Sequence, residues 1–275
     1  MKIKKEYSFS NSRQIWRLVP SDSGKIIIEE RNTETKEAFF NCLDINTGKN
    51  IFSDLQFEEK FWIGIEAVYK DIIYFHKYIK PDMPRHKGIM AYDAITKKIL
   101  WETEDSTFLF IRQNKLYVYQ ETFEGRQFYS LDYRNGTFIE DLKEDAAKVN
   151  ELREETIQQQ NYDGYYFTEY FDGKNEVDTA VIKFIEEVQA NNVISGKIEF
   201  VKMNDLLLLS FHAIIEDGYF DNNFLAIDIS NKKIIFEEKL NTHVKAFVPD
   251  SFFVKDNLIF LLKEKEKLVV CSIKF

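Results

Sequence analysis

Apolar and polar positions alternate through most of the chain in short stretches, each ended by a few Asn, Asp, Gly, Lys or Ser residues. That period of two is the pattern of half-buried β-strands joined by tight turns. One unit of this pattern is written four times, at 38–55, 87–105, 125–142 and 223–240. Each copy has a β-rich run that closes on an aspartate (Asp44, Asp93, Asp132 or Asp228), a polar turn, and a second β-rich run. Four residues after each aspartate stands Gly48, Lys97, Gly136 or Lys232. The two glycines supply the positive φ that such hairpins need. The aspartate carboxylate is placed to accept N–H groups of the turn it precedes, so all four aspartates are read as structural.

The aspartates are 49, 39 and 96 residues apart. The first two spacings fit the ~40–50 residue period of propeller blades, and the third is two periods or one period with an insertion. Strands predicted at 14–19 and 25–30 join the first copy as one four-stranded blade. Strands at 62–69, 72–78, 88–93 and 98–102 form the second, and 107–112, 115–122, 126–133 and 137–141 the third. Strands at 197–203 and 206–213 with the last copy form another. The runs 251–255, 257–262 and 268–274 give only three strands, and Ile3–Phe9 supplies the missing one, so that the two ends of the chain pair and close the fold without open edges. Between these blades the pattern changes. Residues 143–160 have a helical composition with Ala147, Leu152 and Ile157 toward one side, ended by Asn161–Gly164. Tyr165–Phe171 reads as a strand and Asp172–Asn175 as a turn. Residues 177–189 place Val181, Phe184, Ile185 and Val188 at i, i+3, i+4 and i+7, an amphipathic helix. The predicted fold is all-β: one domain over 1–275, a β-propeller of four-stranded antiparallel blades. There are five blades with 143–196 as a partly helical insertion, or six if that segment is a degenerate blade.

Composition adds three constraints. Phe (25) and Tyr (14) are heavily used in the 275 residues, which suits strands, and the ten glycines leave many turns to Asn, Asp and Lys. A net charge of −9 argues against a generic nucleic-acid or anionic-membrane surface. Cys42 and Cys271 lie in apolar runs and are expected as buried thiols rather than a disulfide or metal pair. The first residues are basic but carry no continuous apolar stretch, and no run approaches the ~20 apolar residues of a membrane helix. A cytoplasmic monomer is expected.

The most unusual polar stretch is 76–87. It holds two of the four histidines and the cations Lys77, Lys80, Arg85 and Lys87. It reads as a long loop between two strands of a blade and as a local positive patch, where Arg85 can grip a carboxylate or phosphate through both arms of its guanidinium. The candidate binding residues are Trp62, His76, Tyr78, Arg85, His86 and Lys87. A zinc site at His76 and His86 is weakly supported, because they are ten residues apart with only Asp82 nearby and no thiolate. His212 and His243 offer nothing firmer. No metal site, cofactor or catalytic residue is assigned. Trp16, Trp62 and Trp101 are expected to pack within blades, and acid pairs such as Glu29-Glu30 to lie on solvated faces. Nothing resembling a nucleophile elbow, a zinc-protease helix or a phosphate-cradling loop is present. The expected function is a non-catalytic binding or scaffolding module for an unidentified protein or small anionic ligand. It would use the 143–196 insertion and the 76–87 stretch, and the 177–189 helix would seek a partner if its apolar face were exposed. The alternative is a hydrolase or lyase, or a small-molecule sensor, with acids or histidines converging in a central channel.

At the repeats the chain resembles the quinoprotein-type propeller repeat, most closely in Ala91-Tyr92-Asp93-Ala94-Ile95-Thr96-Lys97-Lys98-Ile99-Leu100-Trp101, then in Leu43–Lys49. That resemblance implies the fold. It does not carry over dehydrogenase activity, since those enzymes are longer, exported, and built around a cofactor pocket with calcium. Ile28-Glu29-Glu30-Arg31, Trp62 and the 76–88 stretch, in that order, are similar to a family of uncharacterised Bacteroidetes-type proteins that contain a domain of unknown function.

Overall fold

The computed structural model describes residues 1–80, 83–160, 162–171 and 178–274, with residues 79–80 and 83–84 as backbone only. The expected turn at 172–175, Asp82 and Asn161 lie outside the described residues. The elements follow the predicted alternation closely. They are β1 (Lys2–Phe9), β2 (Gln14–Pro20), β3 (Lys25–Arg31), β4 (Ala38–Asp44), β5 (Asn50–Leu55), β6 (Ile63–Tyr69), β7 (Ile72–Lys80), β8 (Met83–Asp93), β9 (Lys98–Thr103), β10 (Thr107–Arg112), β11 (Lys115–Thr122), β12 (Gly125–Asp132) and β13 (Phe138–Lys143). Then come α1 (Ala146–Gln158), β14 (Tyr165–Tyr166), β15 (Glu169–Phe171), α2 (Thr179–Asn191), β16 (Ile194–Met203), β17 (Leu206–Glu216), β18 (Tyr219–Asp228), β19 (Lys233–Val244), β20 (Phe252–Lys255), β21 (Leu258–Lys263) and β22 (Lys267–Lys274). The protein is an all-β, propeller-like chain of antiparallel meander sheets with a helical insertion.

The chain divides into two compact units, 13–161 and 1–12 with 162–275. The first holds three four-stranded sheets, β2–β5, β6–β9 and β10–β13. Their facing sides interdigitate: Ile27, Phe40, Cys42, Ile65, Phe75 and Tyr92 form one core, and Tyr74, Leu116, Val118 and Leu131 another. Strand β3 is buried on both faces, as its run Ile26-Ile27-Ile28 requires. Helix α1 is capped by the Asp145 side chain and buries Val149 against Phe110, Tyr117 and Phe128. The expected apolar side is therefore corrected. Ile157 is exposed and Ala147 is too, because the helix meets the sheet along Val149 and Leu152.

In the second unit β1 pairs antiparallel with β22, so both ends of the chain share one sheet, ordered β1-β22-β21-β20-β14. The other sheet runs β15-β16-β17-β18-β19. The 143–196 segment forms no sheet of its own among the described residues; its two short strands extend these neighbours. Helix α2 lays Val181, Ile185 and Val188 on Ile198, Phe200, Leu207, Leu209 and Phe211. Its apolar face is satisfied by its own sheet, which removes the need for a partner there. Both cysteines are buried free thiols, and burial pushes Cys42 up to about 12 and Cys271 up to about 11.

The four aspartates do accept turn N–H groups. Asp44 Oδ1 takes Thr47 N at 2.8 Å, Asp93 Oδ1 takes Ile95 N at 2.8 Å, Asp132 Oδ1 takes Arg134 N at 2.9 Å and Asp228 Oδ1 takes Asn231 N at 3.0 Å. At the fourth residue on, the backbone is left-handed in every copy: φ is +68° at Gly48, +57° at Lys97, +70° at Gly136 and +50° at Lys232. Lysine pays a steric penalty there that glycine does not. Lys97→Gly is expected to raise unfolding stability by about 0.5–1 kcal/mol, measured by urea denaturation; a loss of stability would show that the lysine side chain supplies more than its backbone costs.

Candidate functional site

The six candidate residues all lie on or beside the β6–β7–β8 part of the second sheet, but the stretch that carries most of them is not a loop. Strands β7 and β8 run on past the expected ends, pairing Lys77 with Lys87 and Tyr78 with His86. This corrects the loop reading: alternation of His76, Tyr78 and, across the ladder, His86 on one face is itself a strand pattern. Trp62 lies just ahead of β6, and its carbonyl accepts Tyr78 N at 3.0 Å.

Two bulges shape this end of the sheet. In β6 the register slips between Ile65 and Ala67, leaving Glu66 as the extra residue. Between β7 and β8 it slips at Gly88, whose φ is +75°. Bulges turn side chains out of the regular alternation. Here they bring Glu66, His76 and His86 to one point. Glu66 Oε2 lies 2.8 Å from His76 Nδ1 and 2.8 Å from His86 Nδ1. The two imidazoles stack with centroids 3.5 Å apart and planes within 7°. Tyr78 stands edge-on to both rings, and Trp62 edge-on to Tyr78. Gly64, opposite His76, leaves the space this requires: a Cβ there would sit 3.0 Å from His76 Nε2.

Beneath the cluster lies a buried ion pair. Glu29 and Glu30, adjacent on β3, are 1% and 0% exposed. The expectation of a solvated face is corrected, because β3 is covered on both sides and each acid has found cationic and amide partners. Glu29 Oε1 accepts Arg31 Nη2 at 2.6 Å, and its Oε2 accepts Ile65 N at 3.0 Å. Arg31 donates in turn to the carbonyls of Phe61 and Ile63. Glu30 Oε2 accepts Arg13 Nη2 at 2.8 Å and Asn41 Nδ2 at 2.9 Å.

His76 is 2% exposed, and burial chiefly lowers its pKa, against the pull of Glu66. Burial drives Glu66 upward, but the imidazoles of His76 and His86 outweigh it, so the carboxyl titrates below its ordinary value. The His76 Nδ1 approach to Glu66 is short but off hydrogen-bond geometry, and Nε2 has no partner.

The expected cations lie on the other face of the β7–β8 ladder from the cluster and are not free. Lys77 Nζ lies 2.8 Å from Glu104 Oε1, Arg85 pairs with Glu121, and Lys87 Nζ lies 3.5 Å from Asp105 Oδ1. The positive patch is thus locally neutralised by neighbouring strands and turns. Trp62 is 40% exposed and Trp16 59%, so of the three tryptophans only Trp101 has the packing role expected for all. His212 accepts Val248 N at 3.0 Å, while His243 stacks on Tyr219 beside Glu216, and the two share no partner. A groove of about 470 Å³ beside α2 is lined by residues including Phe184, Glu187, Asn223 and Lys233. No helix among the described residues is long and apolar enough to cross a membrane.

Sequence reasoning found both histidines but missed Glu66. Its signal was a phase change: Ile63, Ile65 and Val68 face one core, so alternation slips at the residue between 65 and 68 that becomes the bulge.

Residues 19–101 match the family described as Domain of unknown function (DUF4905), a span that includes Glu66, His76 and His86. No curated protein matches the chain. Similar solved structures include Hsv2 of Kluyveromyces lactis, at 11% identity and TM-score 0.30, covering 92% of this chain and 74% of that one. The uncharacterised protein lmo1340 of Listeria monocytogenes EGD-e is 10% identical with TM-score 0.33, covering 93% and 94%. A europium-containing methanol dehydrogenase is 11% identical with TM-score 0.30, covering 96% of this chain and 52% of that one. Likenesses at this level carry no functional information.

Proposed function

We propose that the chain is a non-catalytic cytoplasmic binding module of the Bacteroidetes type, which takes an acidic protein segment or a small anionic ligand at the outer half of the β7–β8 hairpin. One observation carries this reading. Lys77, Arg85 and Lys87 lie together on one face of the β7–β8 ladder, and each is held by a single exposed carboxylate. Exposed pairs of this kind contribute little, about 0–1 kcal/mol each. A ligand that presents several carboxylates or phosphates at once can displace them and meets three cations already in place.

The test is a comparison of the natural protein with the triple variant K77A/R85A/K87A against immobilised oligoglutamate peptide and a panel of di- and tricarboxylates and phosphate esters. Binding that weakens with added salt, and at least about tenfold in the variant, is the expected result. Equal binding by both proteins, or none by either, would overturn the reading.

A further inference from the structure

We infer that Glu66, His76 and His86 form a binding site for a divalent first-row transition-metal ion, with zinc as the best-matched probe. The inference does not rest on the anion-binding reading, since it concerns the opposite face of the β7–β8 ladder from the three cations.

Three donor atoms converge. The Glu66 carboxylate and one nitrogen from each histidine lie within 4.8 Å of one another, and both Nδ1 atoms approach the same oxygen at 2.8 Å. A plain hydrogen-bonded trio does not account for this. The carboxylate accepts from His86, while the buried His76 brings Nδ1 to 2.8 Å from the same oxygen off hydrogen-bond geometry and leaves Nε2 with no partner. A buried polar side chain left in that state is rare and calls for a missing partner. Nor can protons on both rings explain the arrangement: parallel imidazolium rings at 3.5 Å would repel, and one is shut away from water.

A metal ion resolves each point. It supplies the partner His76 lacks and takes the second lone pair that converges with it. It also places a positive centre beside two imidazole nitrogens and one carboxylate. Bonds of ~2.0–2.1 Å set tetrahedral donors ~3.3 Å apart, so the oxygen–nitrogen separations open by about half an ångström and one imidazole turns out of the parallel stack to aim its lone pair at the ion. Two imidazoles with one carboxylate and no thiolate favour zinc and its first-row neighbours over calcium or magnesium, which prefer all-oxygen shells. Three protein ligands leave a fourth position, and His86 is the most exposed of the three.

The support around these ligands has the character of a built site. Two bulges aim Glu66 and His86, Gly64 makes room for the ring of His76, and the Glu29–Arg31 pair pins the backbone of β6 on both sides of Gly64 through Ile63 O and Ile65 N. Structural positioning of this kind governs metal affinity as strongly as the ligands themselves.

The experiment uses the full chain, stripped with a chelator and titrated with Zn²⁺ alone against a chromophoric competitor, then with Co²⁺ followed by visible absorption. One equivalent of Zn²⁺ is expected to bind with Kd in the micromolar range or tighter, and Co²⁺ to give the intense ligand-field bands of a four-coordinate site. His86→Gln and Glu66→Gln are expected to weaken Zn²⁺ binding at least about tenfold and to abolish the cobalt spectrum, whereas His243→Gln leaves both unchanged. Absence of stoichiometric binding in the natural protein overturns the inference. So does binding that survives H86Q and E66Q. If either variant fails to fold, the cobalt spectrum of the natural protein decides alone, because a surface-bound ion stays octahedral and weakly coloured.

Discussion

Glu29→Ala lowers the stability of the 13–161 unit by about 3–5 kcal/mol, the range found when one partner of a buried ion pair is removed. The magnitude follows from what is left behind. Arg31 loses two hydrogen bonds to Glu29 Oε1, at 3.1 and 2.6 Å, while its guanidinium stays largely enclosed. The N–H of Ile65, inside the β6 ladder, loses its acceptor at 3.0 Å. Replacing both members, as in E29L/R31M, leaves no orphaned charge and is expected to cost markedly less than E29A alone. Urea denaturation of the three proteins measures this. If E29A lies within about 1 kcal/mol of the natural protein, or if the double variant is the less stable, the pair is not the anchor of β6 that its geometry describes.

Gly136→Ala carries the second large effect, about 3 kcal/mol of destabilisation, from left-handed strain of about 1–2 kcal/mol and overpacking of a similar size. Gly136 has φ +70°, and a Cβ there would come within 2.6 Å of Trp101 Cδ2. Trp101 leans from the end of β9 over the Asp132 turn of the next sheet, and its Nε1 donates to Tyr133 O at 3.4 Å. The buried Tyr74 hydroxyl donates to the same carbonyl at 2.6 Å. Combining G136A with W101L is expected to recover the steric part and leave only the backbone part, a coupling that a double-mutant cycle isolates. Equal losses with and without Trp101 would show that the ring does not meet this turn.

These two sites also show what could be read from the chain by itself. The aspartate turns were legible because their chemistry is local: a carboxylate, two N–H groups and a left-handed residue all lie within five positions. The contact of Trp101 with Gly136 was not, because it joins consecutive sheets across 35 residues of sequence. Glu29 and Glu30 looked like a solvated acid pair, and only the isoleucine run before them hinted that both faces of the strand are covered. The cations at 77, 85 and 87 looked like an open positive patch, since nothing near them in sequence announced that Glu104, Glu121 and Asp105 would neutralise them.

The sequence by itself determined the strand period, the repeated hairpin turns, the helical character of the insertion and the pairing of the two ends of the chain. Each depends on spacing along the backbone or on a hydrophobic phase that permits one face to be buried. Only the tertiary structure decided that His76 and His86 stack rather than line a loop, and that Glu66 joins them. That convergence needs two bulges, a glycine gap and a ladder register, and each of these is fixed by which strands pair rather than by what any one strand contains.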